Sequence, residues 1–438
     1  MTPSGSIRLQ HKDTDTGFSA ALSRYRLQNI VDPATMQPGE FAHDHEACSL
    51  VYAPLQGEAS VVIPKFRVAA SISSNASQTG TGPPPRISNV HFRNLNFTHS
   101  KSTVARCRSI STCDGQSFAS EQHSAVMVSM ASNVSFEQVA VAHTGDYAMV
   151  VGQGSDGVTI SRSHFFDLGV GGVRIGEPNH GAAPAGSEGL VATGVTLQDS
   201  IIEDGGHVIL EGCGVLLEQA HDNLVTHNTI RNMLYSGVSV GWDWTYEATS
   251  NRNNVVSYND ISEIMQGELS DGGCVYHLGR SPGTVIDHNV CNGVNSAGYG
   301  GWGLYTDQGS SNVTITNNIV HSTKSASFHQ HFGTDNLIAN NVFAFPDRWA
   351  CAGAGGCDNA AVRSSQHAPG SGLGEHSSFT FERNIVLLFN STASLFDSTN
   401  SIGFNNMTMD YNVYWSLAKE GDALRFPPTQ SPRTFAQW

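Results

Sequence analysis

Three short segments hold most of what this chain can use for chemistry: SDGGCVYHLG (270–279), GLYTDQ (303–308) and SFHQHF (327–332). They carry two carboxylates, Asp271 and Asp307, and three imidazoles, His277, His329 and His331. Trp242, Asp243, Trp244 and Trp302 lie close by, and Tyr305 shares a strand with Asp307. Paired carboxylates beside aromatic rings are what glycoside hydrolysis requires. One acid protonates the leaving oxygen, while the other acts as nucleophile or as base toward water. The two must stand about 5–5.5 Å apart for retention and about 6.5–9.5 Å apart for inversion. Trp rings cover the C–H faces of sugars without demanding charge, and neighbouring His can hold two carboxyl pKa values apart. Asp271 and Asp307 are therefore the candidate catalytic pair. His277, His329, His331, Trp242, Asp243, Tyr305, Trp302, Glu218 and Arg174 are the candidate substrate contacts.

Plainer readings stand beside these. An Asp before Gly-Gly, as Asp271 is, commonly forms a turn with its own backbone. A polar column on repeated strands is also what a solvated face looks like. His329 and His331 share one face of a strand, where Asp307 would make a third metal ligand, but no Cys or second carboxylate closes that shell. No metal and no cofactor are expected.

The elements that position these residues show in a repeat. Seven nine-residue segments follow one pattern: DNLVTHNTI (222–230), NNVVSYNDI (253–261), GTVIDHNVC (283–291), NVTITNNIV (312–320), DNLIANNVF (335–343), SFTFERNIV (378–386) and NMTMDYNVY (406–414). The fourth position is always apolar and the seventh is always Asn, at 228, 259, 289, 318, 341, 384 and 412. Successive Asn lie 31, 30, 29, 23, 43 and 28 residues apart. A near-constant period in this range marks a stacked repeat, and alternating apolar residues make its units strands. Asn suits a tight corner because it tolerates the left-handed conformation, and its amides can form a ladder from coil to coil. The reading is an all-β, right-handed parallel β-helix of roughly ten coils, its hand following the usual hand of parallel connections. Residues 1–85 lack the pattern, 86–415 form the helix, and 416–438 are an irregular tail. Both ends are expected to be truncated. In the early coils the Asn corner persists once, at Asn94, and otherwise relaxes to Ser163 or Ser200.

After each corner comes a second, Gly-led strand: GVRIGE (172–177), GVLLEQ (214–219), GVSVGW (237–242), GCVYHL (273–278), GLYTDQ and SFHQHF. Period-2 alternation turns the third and fifth positions outward. The fifth then reads Gly176, Glu218, Gly241, His277, Asp307, His331, and the third Arg174, Leu216, Ser239, Val275, Tyr305, His329. With coils about 4.8 Å apart, His277, Asp307 and His331 become consecutive rungs.

Bulk composition narrows the partners. The 438 residues carry a net charge of −15, with only five Lys and no basic cluster, which argues against nucleic acid. No apolar run is long enough to cross a membrane. The opening MTPSGSIRLQHKD encodes no signal peptide, yet Cys107/Cys113 and Cys351/Cys357 are close pairs in Gly/Ser-rich loops, as in secreted proteins. Cys351 and Cys357 are expected to bridge, and a secreted home is the expectation.

At these residues the chain resembles the carbohydrate-active right-handed β-helix proteins of glycoside hydrolase family 141, over nearly its whole length. The resemblance rests on PGEFAHDHEACSLVYAPLQGE (38–58), HTGDYA (143–148), GVGGVRIGE (169–177), YSGVSVGWDW (235–244), SDGGCVYHLG, GWGLYTDQGSSNVTITNNIV (301–320) and SFHQHFG (327–333). It implies a pectin-lyase-like fold and hydrolysis of plant or algal polysaccharide, fucosidase-like or xylanase-like, with the acidic pair on Asp271 and Asp307. The chain departs from the family pattern at Phe41, where GEW becomes GEF. It departs again at Gln308, where D-E-G-S-S becomes Asp307-Gln308-Gly309-Ser310-Ser311. A polysaccharide lyase or epimerase is the runner-up. It needs cations to neutralise a uronate, and near the cluster only Arg174, Arg280 and Lys324 offer themselves. A non-catalytic carbohydrate-binding solenoid is the third reading.

Overall fold

The computed structural model describes residues 36–44, 47–58, 60–74, 85–102, 123–177, 188–344, 360–365, 378–388, 394–398, 407–416, 424–425 and 432–433. The chain divides into two compact units, Met1–Ile63 and Pro64–Trp438.

In the first unit, Phe41–Asp44 and Ser49–Tyr52 form an antiparallel pair. The Glu58 carboxylate turns back to accept from the Leu55 N–H at 3.0 Å and from the Tyr52 hydroxyl. Those contacts give the Gly57-Glu58 end of the motif a local structural role.

The second unit is a right-handed parallel β-helix. Successive coils stack strands into three long parallel sheets, of 13, 11 and 11 strands among the described residues, the largest gaining two short extra strands, Ala192–Thr193 and Ala220–His221. The sheet that carries the candidate residues, called here the site sheet, has eleven strands, from Ala70–Ser73 to Ser394–Ser398. The helix thus begins before residue 86, the expected boundary, because Ala70–Ser73 already pairs in register with Ser124–Ser129. Its last strand among the described residues is Val413–Ser416.

Alternation fills the interior. Val173, Val215, Val238, Val275, Leu304, Phe328, Val362 and Phe396 succeed one another in register and are buried. Such a column removes apolar area from water at every coil, worth about 25 cal/mol per Å². Cys274 and Cys291, both buried, are joined by a disulfide across the interior of one coil. Cys107, Cys113, Cys351 and Cys357 lie outside the described residues.

The Asn ladder is continuous. The side-chain amide of Asn228 donates to Asn259 Oδ1 at 3.0 Å, Asn259 to Asn289 at 2.9 Å, and Asn289 to Asn318 at 3.0 Å. Asn318, Asn341 and Asn384 extend the chain of bonds to Asn412. Each Oδ1 also accepts the backbone N–H of the preceding rung, as Asn289 does from Asn259. Ser200 and Ser163 carry the ladder backward through the earlier coils.

One expectation shifts by a residue. The left-handed conformation belongs to the residue before each ladder Asn: His227, Tyr258, His288, Asn317, Asn340, Arg383 and Tyr411 all have φ between 53° and 58°. The ladder Asn is the inward amide, and its neighbour makes the corner. Asn94, with φ 56°, is such a corner residue and so does not correspond to the ladder Asn.

Candidate functional site

Register on the site sheet decides which side chains meet. Val238 pairs with Val275, Ser239 with Tyr276 and Val240 with His277. Tyr276 then pairs with Tyr305, which pairs with His329, which pairs with Arg363. The strand Gly273–Leu278 therefore sits one residue away from the alignment expected from its Gly. A one-residue slip moves every side chain to the opposite face. Tyr276 takes the outward position expected of Val275, and His277 points inward.

His277 is accordingly not a substrate contact. It is fully buried, and burial alone pushes its pKa down to about 3, so it is neutral. Its Nδ1 lies 2.9 Å from Ser310 Oγ, and Ser310 donates to the His277 carbonyl at 2.9 Å. The ring is thereby tied to the Gly309–Ser311 turn that follows Asp307.

A cleft of about 430 Å³ opens over the outward face, lined by Asp271, Asp307, Trp302, Tyr305, His329 and His331 among the expected residues. Trp244, Tyr299, Gln308, Arg363 and Ser365 complete the lining. Trp244 lies in the segment after the Val238–Gly241 strand, where the Gln308 amide donates to its carbonyl at 3.3 Å.

Both oxygens of Asp307 are held. The Tyr276 hydroxyl donates to Oδ2 at 2.6 Å, and His331 Nδ1 donates to Oδ1 at 2.7 Å. Asp307 itself is 6% exposed, so these partners replace most of its water.

Asp271 occupies the corner before the Gly273–Leu278 strand with φ 58°, the conformation of a turn-former. Its carboxylate nevertheless faces the cleft, accepting from the Tyr305 hydroxyl at 3.2 Å and from Tyr299. Burial first, and the charge of Asp307 second, push its pKa up, against the lowering effect of the Tyr299 and Tyr305 hydroxyls and of His331.

Aromatic rings form the wall. Trp302 lies 4.4 Å from both Tyr305 and His329, ring centre to ring centre, and His329 stacks on Tyr305 at 5.0 Å. Burial first, then the charges of Arg363 and His331, push the His329 pKa well down. The ring is neutral, with Nδ1 facing the Arg363 carbonyl at 3.3 Å.

The remaining expected contacts stand apart from the cleft lining. Arg174 and Glu218 are fully buried and form an ion pair, Nε to Oε2 at 2.6 Å. Substrate cannot reach either one. Trp242 is buried behind Trp244, ring centres 5.0 Å apart, and Asp243 is 7% exposed. Tyr276, a buried partner of Asp307, was hidden by the register slip, and two lining residues, Tyr299 and Arg363, also escaped the sequence pattern. Tyr299 lies in the loop before its strand, and Arg363 lies one coil beyond the last aligned strand. A metal at His329, His331 and Asp307 is not supported. Among the described residues, only Asp167, Asp204 and His207 bring three ligand atoms within 4.8 Å of one another.

No family model matches the chain, and no curated protein matches it. Solved structures do match. A glycoside hydrolase superposes with a TM-score of 0.59 at 19% identity, covering 70% of this chain and 56% of that one. The tailspike protein of E. coli bacteriophage HK620, in complex with a pentasaccharide, gives a TM-score of 0.49 at 10% identity, covering 83% and 60%. XylC with xylose gives 0.46 at 11%, covering 76% and 53%. The chain thus spans little more than half the length of the glycoside hydrolase, and at these identities the likeness is one of fold. That fold is the right-handed parallel β-helix.

Proposed function

We propose that this chain is a glycoside hydrolase acting on a plant or algal polysaccharide, fucosidase-like or xylanase-like, of the kind grouped in family 141. The observation that carries the reading is the pairing of Asp271 and Asp307 in one aromatic-walled cleft, with Asp271 pushed up by burial and by the charge of its partner. A carboxyl so raised keeps its proton and serves as general acid toward the leaving oxygen. Asp307, with both oxygens fixed by Tyr276 and His331, is the nucleophile or the base toward water. Trp302 and Trp244 offer surfaces for sugar C–H faces. The glycoside hydrolase among the structural matches agrees with the reading. Secretion also belongs to this proposal, since the Cys274–Cys291 disulfide is of the type kept in oxidising compartments.

One observation favours a second reading. Arg363 lines the cleft, and a guanidinium there is suited to a uronate carboxylate, as lyases and epimerases require. Incubation with a panel of neutral and acidic polysaccharides separates the readings. Hydrolysis releases new reducing ends without a new double bond. Elimination gives the unsaturated product and its ultraviolet absorbance. Binding without either product leaves a carbohydrate-binding solenoid.

A further inference from the structure

In the other eleven-stranded sheet, which includes Ala140–Thr144, His164–Leu168 and Ile201–Gly205, residues of left-handed backbone form a column of their own: His99, His143, Asp167 and Asp204, with φ of 64°, 53°, 52° and 61°. The register confirms the succession, since Thr98 pairs with Ala142, Phe166 with Ala142, and Leu168 with Gly205. Asp167 and Asp204 are therefore successive rungs, two carboxylates roughly 4.8 Å apart in backbone spacing. Like charges so placed repel, yet imidazoles converge on them. His207 reaches back across the turn after Asp204, its Nε2 lying 3.2 Å from Asp204 Oδ1 and 3.7 Å from Asp167 Oδ1. His207 owes that position to its backbone N–H, which donates to the Leu168 carbonyl one coil earlier.

These are ion-pair distances, and they are also close to the edges of a metal-ligand polyhedron. Ligand atoms sharing a tetrahedral zinc ion at about 2.0–2.1 Å stand about 3.3–3.5 Å from one another. One nitrogen and two oxygens already have edges of 3.2 and 3.7 Å, and all three atoms lie within 4.8 Å of one another. His143 supplies what such sites have in their surroundings. Its Nδ1 donates to the other oxygen of Asp167, fixing that carboxylate's orientation. The donor set of imidazole and carboxylate suits a first-row transition ion better than magnesium or calcium, which take oxygen ligands.

We infer that Asp167, Asp204 and His207 bind a divalent transition-metal ion such as Zn²⁺, with water at the open position, clamping two coils and the turn that follows Asp204. The ion neutralises the paired carboxylates and joins residues of successive coils, so it acts on the stability of the early coils. The site shares no residue with the cleft lining, and the inference is independent of the proposed activity.

Equilibrium dialysis of the chelator-treated full chain against Zn²⁺, together with the d–d absorption of added Co²⁺, tests it. One equivalent should bind, with a Co²⁺ spectrum of low coordination number. Asp204→Asn and His207→Ala should each abolish the spectrum, while His143→Ala, which removes an outer partner, should weaken binding by about 10–100-fold. His331→Ala, in the cleft, should leave binding unchanged. Circular dichroism establishes that each variant is folded; all the substituted corner residues are at least partly exposed. Failure of the wild-type chain to take up one equivalent, or loss of binding in His331→Ala with retention in Asp204→Asn and His207→Ala, overturns the inference.

Discussion

The Tyr276 hydroxyl donates to Oδ2 of Asp307 at 2.6 Å across the step from one coil to the next. A hydrogen bond to a charged group contributes about 1.5–3 kcal/mol. In Tyr276→Phe, kcat should therefore fall about tenfold to a hundredfold with KM little changed, because the bond orients the reacting carboxylate. Steady-state kinetics check this, and a parental kcat contradicts it.

The pH profile should report Asp271. Its pKa is raised by burial and by the Asp307 charge, so the protonated acid is lost, and kcat/KM declines, as pH rises through that raised value. The Tyr299 and Tyr305 hydroxyls hold the pKa down, so Tyr299→Phe and Tyr305→Phe should each move the alkaline limb to higher pH. The same sign governs stability. An upward shift contributes stability that is full below the ordinary carboxylate range and lost as pH rises through the raised pKa. Asp271→Asn should remove that loss, which denaturation at successive pH values measures.

His277 gives the opposite limb. Its folded pKa of about 3 lies below the ordinary 6.5, so the unfolded chain binds the extra proton between those values. Stability should fall as pH drops through that window, by up to about 1.4 kcal/mol per pH unit. His277→Gln should flatten this dependence in denaturant titrations at pH 7 and pH 5. An unchanged slope would mean that His277 accepts a proton in the folded chain.

The ladder and its corners should respond differently to substitution. Asn289→Ala removes the acceptor of both the backbone and side-chain donors of Asn259, all of them buried, and should cost about 2–5 kcal/mol. At Arg383 the backbone is left-handed, φ 55°, so Arg383→Asn should cost nothing or gain up to about 1 kcal/mol. Equilibrium denaturation of the two variants checks the contrast.

The particular residues show how far the sequence carries. The ladder from Asn228 to Asn412 was legible because one side chain must both donate and accept at every coil, which fixes its identity. The corner beside it was not. His227, Tyr258, Asn317 and Arg383 share a backbone conformation but no side-chain chemistry, so no column stood out. On the site sheet, Asp307, His331, Tyr305 and His329 were placed correctly by alternation. Gly272 and Gly273 allowed two starts for their strand, and the choice between them exchanged Tyr276 and His277 between outside and inside. Arg174 and Glu218 had the right direction on the sheet, but both are fully buried in an ion pair, and no local pattern announces that burial. Arg363 and Tyr299 reach the cleft from a later coil and from a loop, where periodicity gives no register.

The central claim is that Asp271 and Asp307 together break a glycosidic bond. The most direct measurement is the release of reducing ends from a confirmed polysaccharide by the parental chain, Asp271→Asn and Asp307→Asn, with substrate binding followed in parallel. Each Asn variant keeps the shape and loses proton transfer or nucleophilic attack, so turnover should drop at least about a hundredfold while binding changes modestly. If both variants release reducing ends at the parental rate, the two carboxylates are not the catalytic pair.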